Sequence, residues 1–324
     1  MQLEEIERIA ASIKSLSFLR VTGGEPFLRK DLPQALHAFY KLSNTRRMGI
    51  ITNGSRPEWI EKAIDQLFEL CPDLVVDIGV SIDGLKEEHD AIRCLDGAFD
   101  NAHRSVETLV ECKKRHPNLL SSIVMTVTSA NQDKLDSLYD EVASWGVDRL
   151  SVNHVRGETC DQSLLNVAED KYREFAFKCE RYHLDRDRSW KAGVQRAKNR
   201  LTRMAIEQID TSGKSDIPCL AGSAIGVLYS DGEVYLCEML NKELSSPSGG
   251  INPNPHLGNV LKAHCDFYAL WHSENAKRCR EWIIETNCSC THECFLTASI
   301  LFGKSNYPRL GWEWLKQGMV GKNS

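Results

Sequence analysis

Polar and glycine residues follow short apolar runs at five places in the first half of the chain. The first run ends in the tetrapeptide Gly23-Gly24-Glu25-Pro26. The next four end at Thr52-Asn53-Gly54-Ser55, Ser81-Ile82-Asp83-Gly84, Thr126-Val127-Thr128-Ser129 and Asn153-His154. Asn-Gly and Asp-Gly also favour turns, so turn formation explains any one of them alone. Because all five runs end in hydrogen-bonding groups, the sequence predicts a shared ligand-binding rim.

The twelve cysteines are unevenly distributed. Those in the first two-thirds are predicted to be buried small apolar side chains: Cys71, Cys94, Cys112, Cys160 and Cys179. The other seven lie from Cys219 onward, and three of them stand in CSCTHEC at 288–294. The N-terminus reads as an acidic amphipathic helix rather than a signal peptide, so a disulfide framework is a poor explanation. The C-terminal cysteines therefore predict metal or redox chemistry.

Composition limits the classes of partner. The 324 residues are 42% hydrophobic and 26% charged, as in an ordinary globular protein. A net charge of -5 and a pI near 6.1 give no reason to expect a nucleic-acid or anionic-membrane partner. No apolar run reaches transmembrane length. We therefore expect a cytoplasmic protein with no nucleic-acid and no membrane partner.

Strand-like and helix-like segments alternate in the first half. Apolar, β-branched runs occur at 16–22, 48–52, 74–82, 121–128 and 149–155, and helix-like segments at 31–43, 57–70, 99–116 and 131–145. Pro57 and the cluster at 131–133 are predicted to mark helix starts. The alternation predicts a parallel sheet with right-handed crossover helices. In such folds ligands bind at the carboxyl ends of the strands, where the rim residues lie.

The C-terminal third predicts a β-hairpin beside cysteines. Residues 225–237 (IGVLYSDGEVYLC) read as two strands joined by an Asp231-Gly232 turn, which returns Cys237 to the neighbourhood of Cys219. Four thiolates match a [4Fe–4S] cluster. Tetrahedral zinc, held by four thiolates or by three with His292, is an alternative that spacing does not exclude. The Ser/Pro/Gly-rich segment 241–255 is expected to be a mobile surface connection.

Three of the rim segments together resemble the radical S-adenosylmethionine (radical SAM) enzymes: TGGEP, ITNGS, and VSIDG followed by HDAIR. The resemblance implies an α/β fold, a partial (β/α)6 TIM-like barrel without its first strand, plus a small C-terminal β-hairpin/α domain of the SPASM or twitch kind. It implies a truncated barrel over 1–160, a helical connection over 161–215, an iron–sulfur domain over 216–300 and a tail over 301–324.

The resemblance also implies a site for S-adenosylmethionine. Its candidate residues are Gly23, Gly24, Glu25, Pro26, Asn53, Ser81, Asp83 and Arg93. Within this set the GGEP segment is expected at the methionine amino group, and Ser81 and Asp83 at the ribose or carboxylate. Arg93 is a candidate partner of that carboxylate or a surface arginine. His89 and Asp90 are expected to cap the following loop.

For the C-terminal domain the pattern C-x12-G-x4-C resembles the first half of a SPASM or twitch domain. It implies one auxiliary [4Fe–4S] cluster held by Cys219, Cys237, Cys290 and Cys294, with Cys288 as a substitute ligand. In sulfatase-maturing relatives an acidic residue at the place of Glu238 is proposed to be a base, which makes Glu238 the candidate catalytic residue. An exposed hairpin carboxylate is the alternative. HLGNV at 256–260 is expected to form the strand after the hairpin.

The C-x-x-x-C-x-x-C motif that binds the first [4Fe–4S] cluster in this family does not occur upstream of Gly23. The chain begins inside what should be the first crossover helix. We expect either a fragment, with the second cluster present only if the missing loop is, or a relative without radical chemistry. The fragment is favoured because strand 16–22 would otherwise be an unprotected sheet edge.

The resulting hypothesis is a radical SAM enzyme that abstracts hydrogen from a peptide or protein through a 5′-deoxyadenosyl radical. Its electron donor is expected to be a protein such as flavodoxin or ferredoxin. One alternative is a non-catalytic protein that holds a nucleotide-like ligand or a peptide on the rim. A zinc-stabilised barrel enzyme without radical chemistry is the other.

Overall fold

The computed structural model describes residues 1–155, 159, 161–186, 189–240 and 254–320. Helix α1 (Leu3–Ser12) opens the chain. Two compact units are present: Ile13–Asp187, and Met1–Ser12 together with Arg188–Ser324. We name them the sheet unit and the cysteine unit. The domain boundaries predicted at 160, 215 and 300 stay predictions. Cys160 and residues 241–253 of the predicted connection lie outside the described residues.

The sheet unit contains a five-stranded parallel sheet in the sequential order β1 to β5. Its strands are β1 (Leu19–Val21), β2 (Arg47–Thr52), β3 (Val75–Ser81), β4 (Leu119–Val127) and β5 (Arg149–His154). Its helices are α2 (Leu32–Leu42), α3 (Pro57–Leu70), α4 (Lys86–Arg93), α5 (Ala98–Arg115), α6 (Leu135–Ala143) and α7 (Glu169–Arg186). The predicted α/β fold with parallel strands and crossover helices is confirmed.

One face of this sheet forms the core with the helices. Along β3 the alternate residues Val76, Ile78 and Val80 are fully buried, whereas Asp77 and Ser81 on the other face are only half-buried. Burying an isoleucine side chain such as that of Ile78 contributes about 1.5–3 kcal/mol. The period-2 alternation therefore holds one face against the helices and leaves polar groups on the other.

Sequence signals for helix ends predicted some helix boundaries correctly and others wrongly. Pro57 is the first residue of α3, as predicted. The helix start predicted at 131–133 is wrong, because α6 begins at Leu135 and Asn131 is buried in the loop before it. Helix α4 was not predicted, since its eight residues are mostly charged and include only two apolar ones, Ala91 and Ile92. His89 and Asp90 lie inside this helix rather than at a loop, although Asp90 does cap the chain that follows by accepting from Gly97 and Phe99.

The burial predicted for the scattered cysteines is mostly confirmed. Cys71, Cys112 and Cys179 are buried, but Cys94 is exposed and its prediction is wrong. Cys94 ends α4 in the left-handed region, at φ 51°. A residue that terminates a short surface helix has no core to enter, whatever its hydrophobicity.

The cysteine unit combines helices with a small antiparallel sheet. Its further elements are α8 (Trp190–Ser212), β6 (Val227–Leu228), β7 (Glu233–Tyr235), β8 (His256–Asn259), α9 (Phe267–Trp271), α10 (Glu274–Glu285), α11 (Glu293–Phe302) and α12 (Tyr307–Val320). The predicted hairpin is confirmed: β6 and β7 pair, and Gly232 adopts φ +91° in the turn. Strand β8 then adds to β7, as expected for 256–260.

Helix α1 is grouped with the cysteine unit. Its role as a barrel crossover helix stays a prediction. Its buried residues are Ile6, Ile9 and Ala10. The Ser12 hydroxyl accepts a hydrogen bond from the Phe267 N–H at 3.0 Å. An amphipathic pattern fixes which face a helix buries but not which neighbour it buries that face against. Among the described residues, no helix is both long and apolar enough to cross a bilayer.

Candidate functional site

Glu25 joins the loop after β1 to the end of β2. Its Oε1 accepts hydrogen bonds from the Phe27 N–H at 3.0 Å and the Thr52 hydroxyl at 2.7 Å, and its Oε2 accepts from the Asn53 N–H at 2.7 Å. Pro26 starts a 3-10 turn for which Glu25 is the N-cap. The predicted ligand-orienting carboxylate is thus a fixed part of the rim.

The two glycines before Glu25 leave the backbone accessible. Gly23 has φ +120°, a conformation that favours glycine. A Cβ added at Gly23 or Gly24 would have no atom within 4 Å. A ligand can therefore approach this stretch of backbone closely, which is the property expected of the GGEP segment.

Asp83 links the ends of β3 and β4 with α4. Its carboxylate accepts from the Thr126 N–H at 2.8 Å and from Arg93 at 2.6 Å. Its carbonyl oxygen accepts from the Asn131 side chain at 2.7 Å, and its N–H donates to His89 Nδ1 at 3.1 Å. Burial lowers the pKa of His89, which suits a ring that must stay neutral to accept this bond. Asp83 and Arg93 pair with each other; their predicted ligand contacts stay predictions.

Two other rim residues differ in how they are engaged. The Asn53 side chain accepts from the Ser55 N–H at 2.9 Å, closing its own turn. The half-buried Ser81 hydroxyl makes no hydrogen bond within the part of the chain that the structure describes.

The sequence did not predict the structural role of Asn131, whose side chain donates hydrogen bonds to the Asp83 and Thr126 carbonyl oxygens. An asparagine four residues after the end of β4 was the available signal.

Five thiols converge in the cysteine unit. Three half-buried cysteines and the buried Cys237 pack in one apolar cluster with Ala221, Ile283 and Phe295; the three are Cys219, Cys288 and Cys294. Burial is the main cause of the raised pKa of Cys237, and the hydrogen bond with Cys219 is the main cause for Cys288; negative charge on the nearby Cys290 raises the pKa of both further. All four predicted ligands and the substitute Cys288 are therefore near one another. Among the described residues, however, no three or more His, Cys, Asp or Glu side chains are already arranged to hold a metal ion.

The thiols differ in acidity. A hydrogen bond between Cys219 and Cys288 lowers the pKa of Cys219 to about 7 and raises that of Cys288. Burial raises the pKa of Cys237 to about 11. Thiolates are the form that binds metal, so the lowered pKa of Cys219 favours this residue as a ligand.

His292 connects the cysteine loop to Glu238. Its Nε2 lies 2.8 Å from Glu238 Oε2, and its Nδ1 accepts from the Cys294 N–H at 3.3 Å. Because Nδ1 accepts, Nε2 is assigned the proton and donates to Glu238. Both ring nitrogens are engaged, which disfavours His292 as a zinc ligand. Glu238 and Cys237 also line an open cavity of about 460 Å³.

Trp282 brings a buried donor to the same place. Its indole Nε1 is buried and has no hydrogen-bond partner among the described residues. Its side chain packs against the apolar cluster that holds four of the thiols. Sulfur atoms of an iron–sulfur cluster accept N–H hydrogen bonds. The all-thiol donor set and this orphaned N–H fit a [4Fe–4S] group.

These features define a class: a parallel α/β sheet with an open glycine loop at its carboxyl rim, joined in sequence to a unit rich in convergent thiols. A family model described as "Radical SAM superfamily" matches residues 1–153. By this match, residues 1–153 are a radical SAM domain.

Curated relatives match only in part. The chain is 31% identical over 177 residues to "Pre-heme d1 synthase" of Dinoroseobacter shibae, covering 52% of this chain and 40% of that protein. It is 29% identical over 154 residues to "Fe-coproporphyrin III synthase" of Methanosarcina barkeri, covering 46% and 36%. "GTP 3',8-cyclase" of Clostridium botulinum is 25% identical over 138 residues, covering 42% and 40%. The chain thus spans two fifths or less of these relatives.

Solved structures show the same fold. Hexahistidine-tagged anSMEcpe with bound AdoMet has a TM-score of 0.55 at 16% identity, covering all of this chain and 86% of that one. Native anSMEcpe with bound AdoMet and Kp18Cys peptide has a TM-score of 0.53 at 16% identity, covering 92% and 80%. At this identity the likeness concerns the fold, and the partial barrel is consistent with it.

Proposed function

We propose that this protein is a radical SAM enzyme that modifies a peptide or protein and holds one auxiliary [4Fe–4S] cluster in its cysteine unit. The observation that carries the auxiliary cluster is the convergence of five thiols beside a confirmed hairpin. Bound S-adenosylmethionine and iron–sulfur clusters supply the one-electron chemistry, including a 5′-deoxyadenosyl radical that abstracts hydrogen.

The rim residues have two kinds of role in this proposal. Gly23, Gly24 and the Ser81 hydroxyl are the groups that remain open to S-adenosylmethionine. Glu25 and Asp83 keep the loops that carry them in place through the hydrogen bonds described above. This division of roles explains why two carboxylates of the rim are saturated by protein donors.

The auxiliary cluster takes its ligands from the five thiols. Cys219, Cys237 and Cys294 supply three, and the fourth comes from Cys290, as the family pattern implies, or from Cys288. The packing of Cys288 with Cys219 in the apolar cluster supports Cys288. Zinc with His292 as a ligand is the less suitable alternative, because that ring already bonds at both nitrogens.

Glu238 is proposed to take a proton from the oxidised substrate. Its carboxylate lines the open cavity together with Cys237 and accepts a hydrogen bond from His292. A fixed base that is open to solvent and next to a cluster ligand suits a step in which proton and electron leave together. The peptide substrate is supported by the hairpin resemblance and by the fold shared with the peptide-bound anSMEcpe structure. A flavodoxin- or ferredoxin-like donor would supply electrons.

The test is the metal content of the chain purified without oxygen. Iron, acid-labile sulfide and zinc are counted on the same sample. About four irons with matching sulfide per chain are expected for one auxiliary cluster. Zinc near one per chain without sulfide would overturn the proposal for the cysteine unit. A chain with all five cysteines changed to serine is the control, and it should bind neither.

A further inference from the structure

The indole N–H of Trp282 is unusual because it is buried without an acceptor among the described residues. Native proteins pair nearly all such groups, so each exception needs an explanation. Trp282 lies on α10, and its ring packs against the cluster that includes Ile283 and Cys237. The acceptor for this N–H must come from the atoms around the indole ring.

The backbone carbonyls of Trp282 and Ile283 already accept hydrogen bonds. The Trp282 carbonyl oxygen accepts from the Thr286 N–H at 3.0 Å, and the Ile283 carbonyl accepts from the Cys288 N–H at 3.0 Å. The side-chain acceptors of this cluster are sulfur atoms, those of Cys219, Cys288 and Cys294 among them. Thiol sulfur is a weak acceptor, whereas thiolate and sulfide bound to iron are negatively charged and accept well.

We propose that the Trp282 indole N–H donates a hydrogen bond to a sulfur atom of the group held by these cysteines. The inference rests on the proposed function, which makes that group an iron–sulfur cluster. A donor to sulfur stabilises the reduced cluster, which carries one more negative charge than the oxidised one. Trp282 therefore raises the reduction potential. It is a tuning residue and touches no substrate.

The experiment compares Trp282→Phe with Trp59→Phe in the full chain, each reconstituted with iron and sulfide without oxygen. Both substitutions keep an aromatic ring and remove an indole N–H that is buried and unpartnered among the described residues, but Trp59 belongs to the sheet unit. The potential is measured by titration with dithionite, followed by electron paramagnetic resonance. At fixed potential the ratio of oxidised to reduced cluster should rise about tenfold in Trp282→Phe, equal to a shift of about 59 mV downward for one electron. Trp59→Phe should leave the ratio unchanged.

The outcomes separate this inference from the proposed function. Full iron and sulfide in Trp282→Phe with an unchanged potential would overturn the inference alone. A wild-type chain that takes up no iron and sulfide would overturn the proposed cluster, and the inference with it. If Trp282→Phe loses its cluster, the wild-type chain labelled with ¹⁵N-tryptophan decides by pulsed resonance. A ¹⁵N coupling to the reduced cluster supports the hydrogen bond, and its absence excludes it.

Discussion

Glu25 shows at the residue scale how a rim is held in place. One carboxylate accepts from a backbone N–H on its own loop, and from a hydroxyl and a second N–H at the end of β2. An amide in its place has a single acceptor oxygen, so at least one of these donors would face an NH2 group. Such a mismatch costs about 1–3 kcal/mol.

Glu25→Gln should therefore speed amide hydrogen exchange at Asn53 or Phe27 about tenfold, since ~1.4 kcal/mol corresponds to a factor of ten. Glu58→Gln is the matched control, because Glu58 meets Arg104 at the surface. Equal exchange rates in Glu25→Gln and the wild type would show that these bonds do not hold the loop.

The choice between Cys288 and Cys290 is also a residue-scale question. Cys288 contacts Cys219 and packs in the apolar cluster, whereas Cys290 is not part of that cluster. We expect Cys288→Ala to lose most of the iron bound after reconstitution and Cys290→Ala to keep it. Iron and sulfide counts on the two variants, prepared side by side, check this. The reverse result would assign the fourth ligand to Cys290, as the family pattern implies.

At the scale of elements, His89 couples α4 to the end of β3. The neutral ring accepts from the Asp83 N–H, and burial lowers its pKa below the ordinary value of 6.5. The unfolded histidine binds a proton near pH 6.5 and the folded one only at lower pH. The stability that this neutral ring contributes is therefore present above about pH 6.5 and is lost as the pH falls below it.

Amide protection factors at the end of β3 should thus decrease between about pH 7 and pH 5 in the wild type. His89→Gln keeps an acceptor that does not titrate, and its protection should be flat over the same range. His272→Gln, at an exposed histidine of the cysteine unit, should behave as the wild type does. Parallel decreases in all three chains would contradict the role of His89.

The hairpin turn offers a second test on an element. A Cβ at Gly232 would lie 2.8 Å from Leu261 Cγ and 3.0 Å from Asn259 Oδ1. Gly213 also has a positive φ, but a Cβ there would meet nothing within 4 Å. Gly213→Ala thus reports backbone strain alone, about 1–2 kcal/mol. Gly232→Ala should lower the urea midpoint further than Gly213→Ala and reduce iron uptake, because β6 and β7 lead to Cys237. Equal urea midpoints in the two variants would show that the turn accommodates the added methyl group at Gly232 without extra cost.

The sequence predicted these elements unevenly, for physical reasons. The strands were predictable because apolar, β-branched runs alternate with helix-like segments, and Asp231-Gly232 specifies its turn locally. Helix α4 has no such apolar signal in its sequence. It is held in place by the buried His89, which accepts a hydrogen bond from the Asp83 N–H. Asn131 is a residue type that favours helix caps, but its side chain instead donates to the carbonyl oxygens of Asp83 and Thr126. Convergence of the thiols was predictable from the hairpin, whereas the His292–Glu238 bond depends on tertiary contacts 54 residues apart.

At the scale of the whole molecule, the two units have separate cores. The sheet unit is built on one large apolar cluster that runs from Phe27 to Tyr182. The cysteine unit has small clusters instead, and one of them contains four of the five thiols. Metal binding stabilises the folded state of the unit that supplies the ligands. A bound auxiliary cluster should therefore stabilise the cysteine unit selectively.

Removal of iron should therefore destabilise the cysteine unit and leave the sheet unit unchanged. Hydrogen exchange measured by mass spectrometry on the iron-loaded chain, and again after oxidation and chelation, should show faster exchange in β6, β7 and α10. Peptides from β2, β3 and β4 should be unchanged, because their core contains none of the five thiols. A chain in which all five cysteines are serine should show the fast pattern from the start and no response to chelator. Faster exchange in both units after chelation would instead mean that the metal stabilises the sheet unit as well, and that its ligands extend beyond the five cysteines.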